Sequence, residues 1–494
     1  MIVLGHARDF VGRRVFPGNY KHLFPSGGRP ALFTASGSFY TRRLYGRIKD
    51  CWNRPITGTP GRFVEVLLRV RTEDDEFVLS GSSKKCLNLA SYNYLGYSGV
   101  FNEEVKKIID RYPIAYSAPA KFLPECPIVK AVEHEIAKFL YKEDAIVFSM
   151  GFATNACTIP HLVDKGDLIL TDSLNHSSIF FGTRVSPCKI QVFPHNNMSA
   201  LESMLRHALV QGQEITRRPF GRILVIVEGL YSMEGECVLL RELMALKKKY
   251  KFFLFIDEAH SIGAMGKTGR GVCEYLGIDF DEIDVLMGTF TKSFGAAGGY
   301  IAASKKIIAQ LRQKSELISR GEQVSPVVAS QILESLKRIQ SKEGIADIQL
   351  LAESSTYFRN SLKQMGFIVI GEEASPVVPL LLYNPGKIAE FSRMCLQENL
   401  AVVVVGYPAT PVISSRVRFC LSVVHTREDL DMALVVISKV GDLLGLKMLS
   451  TSAKPESEPA TAANPEKLEK PATSANPANP ANPDNPETPE TSVE

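Results

Sequence analysis

The sequence predicts an α/β protein in which a larger lobe built on a mostly parallel sheet is followed by a smaller α/β lobe. Three observations predict it. Short apolar runs alternate with longer segments of helical period, as in "RILVIVEG" at 222–229, "MALKKKY" at 244–250, "FFLFIDEAH" at 252–260 and "VLMGTFTK" at 285–292, the pattern of βαβ units. Each apolar run is followed at once by polar residues: Glu228 and Ser232, Asp257 and His260, Thr289 and Lys292. Open sheets bind ligands beyond the carboxyl ends of their strands, so these tips should converge on one site. After about Ser341 the pattern changes to "YFRNSLKQMGFIVIG", "SPVVPLLLY", a helix-like "KIAEFSRMCLQENL" and "AVVVVGYPATP", which predicts the second lobe and a cleft between the two.

Taken in order, residues 1–55 form an N-terminal segment whose first 36 residues mix Arg, Gly and Pro with short apolar pieces. It is too broken for a membrane span and weak as a cleavable signal. No window approaches the roughly 20 apolar residues a spanning helix needs, so the chain itself is not expected to cross a bilayer. Residues 56–340 read as the large lobe with its N-terminal arm and 341–451 as the small lobe. From 452 to 494 the chain turns into Pro, Ala, Asn, Glu and Thr, with the near-repeat "SANPANPANPDNPETPE". Such a segment has almost nothing to bury against its chain entropy, which predicts disorder. The 494 residues carry a formal charge of +4, spread along the chain rather than blocked, so no nucleic-acid footprint is predicted. The nine cysteines are scattered without a CxxC pair, consistent with reduced thiols. The "KKKY" run at 247–250 reads as a solvated helix face.

The stretch "MGTFTKSFGAAGGY" at 287–300 places one lysine between hydroxyl residues and a run of small ones. Most lysines are solvated surface ammoniums. Lys292, however, follows a strand-like run, and the small residues after it permit close approach of backbone and ligand. A partly desolvated lysine has a lowered pKa and can form a Schiff base with an aldehyde. Asp257 ends another buried run, 35 residues upstream, where a carboxylate is costly without a cation. Pyridoxal phosphate would supply that cation as its protonated ring nitrogen, and a facing Asp with a Schiff-base Lys is its expected pair. The competing reading takes "DEAH" as the mark of a helicase or other P-loop ATPase. That needs GxxxxGK[ST] upstream, whereas "SIGAMGKT" at 261–268 begins with Ser and follows the acidic motif.

Taken together, "NLASYNYLGYS", "FSMGFATN", "LNHSS", "VEGLYSMEG", "IDEAHSIGAMGKTGRG" and "GTFTKSFGAAGGY" resemble, in order, the signature blocks of the α-oxoamine synthases. These are pyridoxal-phosphate enzymes of transferase fold type I that condense an amino acid with an acyl-CoA. Within them, "FYTRRLYGRIKDCWNRP" at 39–55, the "TFTKSFG" form of the lysine block and "VVVVGYPATP" at 402–411 look like the lysine-bearing subunit of the eukaryotic serine palmitoyltransferases. The resemblance runs from about 39 to 448.

It implies roles by position. Lys292 would hold the cofactor and take the α-proton of bound serine. Asp257 would pair with the pyridinium and His176 stack on the ring, while Ser232 and His260 address its phenolic oxygen. Gly151 and Phe152 would bring backbone against the cofactor, with Thr289 and Thr291 near its phosphate. Asn93 and Arg418 would meet the substrate carboxylate, for which a guanidinium fork is well shaped. Singly, each has a plainer reading: His176 a satisfied core or surface histidine, Arg418 a surface ion pair, Ser232 and the threonines turn hydroxyls, Phe152 core. The implied reaction is the decarboxylative condensation of L-serine with palmitoyl-CoA to 3-oxosphinganine. The implied partner is a related subunit lacking the lysine, and the implied place is the cytosolic face of the endoplasmic reticulum, with attachment borrowed from that partner.

Two stretches depart from the family's pattern. "YSAPAKFLPECPIVKAVE" at 116–133 stands where relatives carry a Ser-Thr-Arg segment, a glycine and a histidine, and its prolines Pro119, Pro124 and Pro127 would remodel that loop. "SRGEQVSPVV" at 319–328 puts Glu322 and Gln323 in place of a Thr-Ser pair expected to help bind cofactor phosphate, which a carboxylate would repel. The alternatives these departures raise are a weak or inactive paralogue acting as a partner subunit, and a synthase using another amino acid or acyl-CoA.

Overall fold

The alternating pattern is realised as a seven-stranded sheet. In the computed structural model, which describes residues 2–448 apart from 26–27, 29, 31–44, 46–47, 73–75, 117–118, 120–125 and 408, three strands come first: β1 (Ile56–Thr57), β2 (Phe63–Arg71) and β3 (Phe77–Asn88). The large sheet follows with β4 (Asp144–Phe148), β5 (Leu168–Asp172), β6 (Lys189–Phe193), β7 (Ile223–Glu228), β8 (Phe253–Asp257), β9 (Val285–Thr289) and β10 (Gly299–Ala303). Its order is β4-β10-β9-β8-β7-β5-β6. Five neighbours run parallel and only β10 is reversed, against β9 and β4. β5, β7 and β9 are buried at every position and β8 at all but Phe253, which explains why they read as continuous apolar runs rather than alternating ones.

The C-terminal pattern is also realised. β11 (Val377–Leu381), β13 (Val403–Val405) and β14 (Arg416–Cys420) form an antiparallel sheet in the order β11-β14-β13. Between them β12 (Leu400–Ala401) pairs parallel with β3, Leu400 opposite Leu87, so the N-terminal arm is completed by a strand from the far end of the chain. The disorder expected for 452–494 and most of the "FYTRRLYGR" block lie outside the described residues. Among the described residues no helix is long and apolar enough to cross a membrane, and all nine cysteines are free thiols.

The "KKKY" run lies on a helix face as expected, with Lys248 and Lys249 exposed and Lys247 and Tyr250 half-buried. The lysines of "KKKY", on the helix Leu240–Tyr250, are each ion-paired: Lys247 with Asp284 at 2.9 Å, Lys248 with Glu282 at 3.0 Å and Lys249 with Glu202 at 2.6 Å. The small residues after Lys292 also pack against the chain itself. Gly298 has φ +97°, and a Cβ on Gly299 would lie 2.6 Å from Thr154 Oγ1 and 2.8 Å from the Gly288 carbonyl. The neighbours that demand smallness there are strands and a helix of the same chain.

The two ends of the chain are also joined through a helix cap. Thr426 and Asp429 form a reciprocal capping box on the helix Arg427–Leu443, and the Arg62 guanidinium grips the Asp429 carboxylate at 2.6 and 2.8 Å. Burial raises the Asp429 pKa, but Arg62 and the Thr426 N–H outweigh it and hold the carboxyl below its ordinary value. A carboxyl depressed in the folded state stabilises above its unfolded pKa and ceases to as pH falls through the folded one. Asp429→Ala should therefore cost about 1 kcal/mol at neutral pH, a deficit that shrinks in acid. Denaturant melts at pH 7 and pH 3 measure both.

Candidate functional site

The carboxyl ends of β7, β8 and β9 lie side by side, with Glu228 opposite Asp257 and Asp257 opposite Met287 in register. Asp257 is buried; its carboxylate accepts from Asn155 Nδ2 at 2.7 Å and from the Ala259 N–H at 2.9 Å. It has no ion pair among the described residues. A buried carboxylate held only by neutral donors keeps a place for a cation. Glu228, next to it, is pushed well above the carboxylate range by burial and then by Asp257, and it accepts the His176 N–H.

Lys292 stands in the turn after β9, half-buried, its Nζ 5.8 Å from the Tyr92 ring centroid. Burial draws its pKa down to about 8 against the pull of Asp257 and Glu228, with Arg418 adding to the fall. At neutral pH a useful fraction of the amine is thus free base, as a Schiff-base lysine requires.

His176 caps the helix Ser177–Arg184. Its Nδ1 accepts the Ser178 N–H at 3.2 Å and meets the Ser178 hydroxyl at 2.8 Å, so the ring is fixed from below. Burial lowers its pKa, and Lys292 contributes to the fall against Asp257. His260, buried after β8, is held well below the usual imidazole value by burial and then by Lys292, Arg418 and His176. Ser232 is buried on the loop after β7 and makes no hydrogen bond among the described residues.

Gly151 opens the helix Gly151–Ala156 and is required by its neighbour: a Cβ there would lie 2.7 Å from Thr289 Oγ1. Thr289 Oγ1 in turn meets Thr291 Oγ1 at 2.8 Å and donates to the Gly298 carbonyl at 2.9 Å. Phe152, whose plain reading is core, is 43% exposed and sits edge-on to His176 at 6.3 Å.

Arg418, on β14, is 5% exposed and has no carboxylate within ion-pair distance among the described residues. Its Nη1 reaches Met233 Sδ at 3.4 Å, its guanidinium lies 4.6 Å from the Tyr92 centroid, and Nε is buried without a partner. A buried guanidinium so poorly matched is set for an anion. Its neighbour on the same strand, Arg416, is spoken for by Glu234 and the Met233 carbonyl. Asn93 is buried, donates to the Pro60 carbonyl at 2.9 Å and leaves Oδ1 unpartnered.

Sequence reasoning missed Tyr92, which lies between the Lys292 and Arg418 cations and packs its edge on His260 at 5.0 Å. It also missed Asn155, which holds Asp257. Both stand inside the quoted blocks "NLASYNYLGYS" and "FSMGFATN", where an aromatic beside Asn93 and an amide on the first helix were the available signals. The two departing stretches meet: Pro119 and Glu322 form an isolated antiparallel bridge, while 117–118 and 120–125 lie outside the described residues.

The sequence model for class I and II aminotransferases matches residues 84–437, and the chain belongs to that family. Its relatives place it more narrowly. It is 47% identical to serine palmitoyltransferase 2 of Dictyostelium discoideum over 90% of this chain and 92% of that protein. It is 49% identical to human serine palmitoyltransferase 3 over 86% of this chain and 79% of that one. Among solved structures, a serine palmitoyltransferase carrying pyridoxal phosphate matches with TM-score 0.69 and 26% identity over 77% of this chain and 93% of that one. The enzyme from S. paucimobilis shares the fold, with TM-score 0.72 at 24% identity, covering 84% and 98%.

Proposed function

We propose that this chain is the lysine-bearing subunit of a serine palmitoyltransferase, joining L-serine to palmitoyl-CoA with loss of carbon dioxide to give 3-oxosphinganine. The observation that carries this is the buried Asp257 at one strand end, with no ion pair among the described residues, and the desolvated amine of Lys292 beyond the next. Pyridoxal phosphate suits that donor set. Asp257 would face its ring nitrogen, Lys292 its aldehyde, His176 the ring face, Ser232 and His260 the phenolic oxygen. Gly151 and Phe152 would bring backbone against the cofactor, with Thr289 and Thr291 near its phosphate. Once bound, the cofactor supplies an aldehyde for the serine amine and a ring that draws electrons from the α-carbon.

The chain's own residues supply orientation and proton transfer. Arg418 and Asn93 would hold the serine carboxylate, fixing which bond at the α-carbon stands over the ring. Lys292 Nζ would take the α-proton, a task for an amine whose pKa lies near working pH. The α-carbon would then attack the thioester carbonyl, coenzyme A thiolate would leave, the carboxylate would depart as carbon dioxide, and the electron pair left at the α-carbon would take back a proton, which the Lys292 ammonium can return. The reading carries the division at 340/341 into a cofactor lobe and a smaller lobe. It also carries a heterodimer with a related subunit lacking the lysine, at the cytosolic face of the endoplasmic reticulum.

The test co-expresses the chain with and without that partner and measures 3-oxosphinganine from serine and palmitoyl-CoA, with glycine and shorter acyl-CoAs as competitors. Product from serine and palmitoyl-CoA, and a pool that pellets with membranes only when the partner is present, are expected. A colourless purified protein that borohydride does not label at Lys292 overturns the reading.

A further inference from the structure

Tyr94 is fully buried, and its hydroxyl lies 2.9 Å from His260 Nδ1. That is the hydroxyl's one hydrogen bond among the described residues. A buried O–H proton needs an acceptor. Among the described residues no carbonyl or carboxylate accepts it, so Nδ1 receives it. A neutral imidazole that accepts at Nδ1 carries its own proton on Nε2. Neutrality is secured by the surroundings: burial comes first, then Lys292, Arg418 and His176, so a second proton would sit buried beside the Lys292 and Arg418 cations, while the Tyr92 and Tyr94 phenols that touch the ring are themselves raised by burial and stay protonated. The opposite tautomer would strand the phenolic proton without a partner. Tyr92 packs its ring edge against His260 at 5.0 Å and 74°, holding the imidazole plane, and Nε2 has no partner among the described residues.

We infer that Tyr94 is a positioning residue that locks His260 in the Nε2–H tautomer, so that the site presents a hydrogen-bond donor to an anionic oxygen of its ligand. The inference deepens the proposed function and rests on it for the ligand's identity: the oxygen is the cofactor's phenolate. Donation to that oxygen favours the phenolate, yellow form of the bound cofactor over its near-ultraviolet form.

Tyr94→Phe removes only the hydroxyl and keeps the ring in the core. Two readouts apply. In apoprotein labelled with [15N]histidine, the His260 signals, assigned by their loss in His260→Gln, should show Nδ1 bare and Nε2 protonated in the wild type. In Tyr94→Phe they should shift towards a mixture of tautomers. In holoprotein, the ratio of yellow to near-ultraviolet absorbance should fall at least two-fold in Tyr94→Phe, with the KM for serine moving less than two-fold. A protonated Nδ1 in the wild type, or a variant matching the wild type in both readouts, overturns the inference. If the wild type takes up no cofactor colour, it is the cofactor reading that fails, and the apoprotein spectra still decide the tautomer.

Discussion

Lys292→Ala is expected to leave the protein colourless after incubation with pyridoxal phosphate and to lower product formation by about 1,000-fold or more, because it removes both the covalent tether and the α-proton base. Lys292→Arg should fare no better, since a guanidinium stays charged and cannot condense with an aldehyde. The pH dependence of capture is a sharper measure. With its pKa drawn down to about 8 by burial, the amine of the apoprotein should take up the aldehyde at a rate that rises through pH 8 and levels above it. An ordinary lysine would still be gaining near pH 10. Stability follows the same group. A lysine depressed in the folded state binds fewer protons there than in the unfolded chain. Apoprotein stability should therefore rise with pH between about 8 and 10.5, and Lys292→Met should flatten that slope. Stopped-flow absorbance and denaturant melts read the two effects.

Arg418→Ala should raise the KM for serine by about 100-fold while the protein still binds cofactor with full colour, since the lost hydrogen bonds to a charged carboxylate are worth about 1.5–3 kcal/mol. Arg418→Lys restores the charge but not the fork, and its KM should fall between the two. The separation from Lys292→Ala is what matters. One variant loses colour and turnover together; the other keeps colour and loses affinity. Colour lost in both would mean that Arg418 supports the fold of the site rather than the substrate. Arg416, tied to Glu234 and the Met233 carbonyl, offers the contrast: Arg416→Ala should unsettle the loop carrying Ser232.

Much of this was legible in the chain. Strands buried on both faces read as unbroken apolar runs, so β7, β8 and β9 lie within the stretches quoted at 222–229, 252–260 and 285–292, and the polar residues after each run mark the sheet's carboxyl edge. β12 was not legible as an element of the arm. Two residues carry no periodicity, and their partner β3 lies more than 300 residues away. The ion pairs of Lys247, Lys248 and Lys249 were hidden for a similar reason. Asp284, Glu282 and Glu202 reach that helix face only after the chain has folded.

Local chemistry named the groups: an amine after one apolar run, a carboxylate ending another and histidines in polar turns, with the arginine named by the resemblance. Those identities are covalent facts, and the sequence by itself determined them together with the order of the strands that carry them. What each group does at neutral pH was decided by tertiary structure. Burial sets the Lys292 amine near 8, the absence of a described counter-ion leaves Asp257 and Arg418 open to charged ligands, and Tyr94, 166 positions from His260, fixes its tautomer. Desolvation and hydrogen-bond partnership are properties of a neighbourhood, and these neighbourhoods are assembled from segments far apart along the chain.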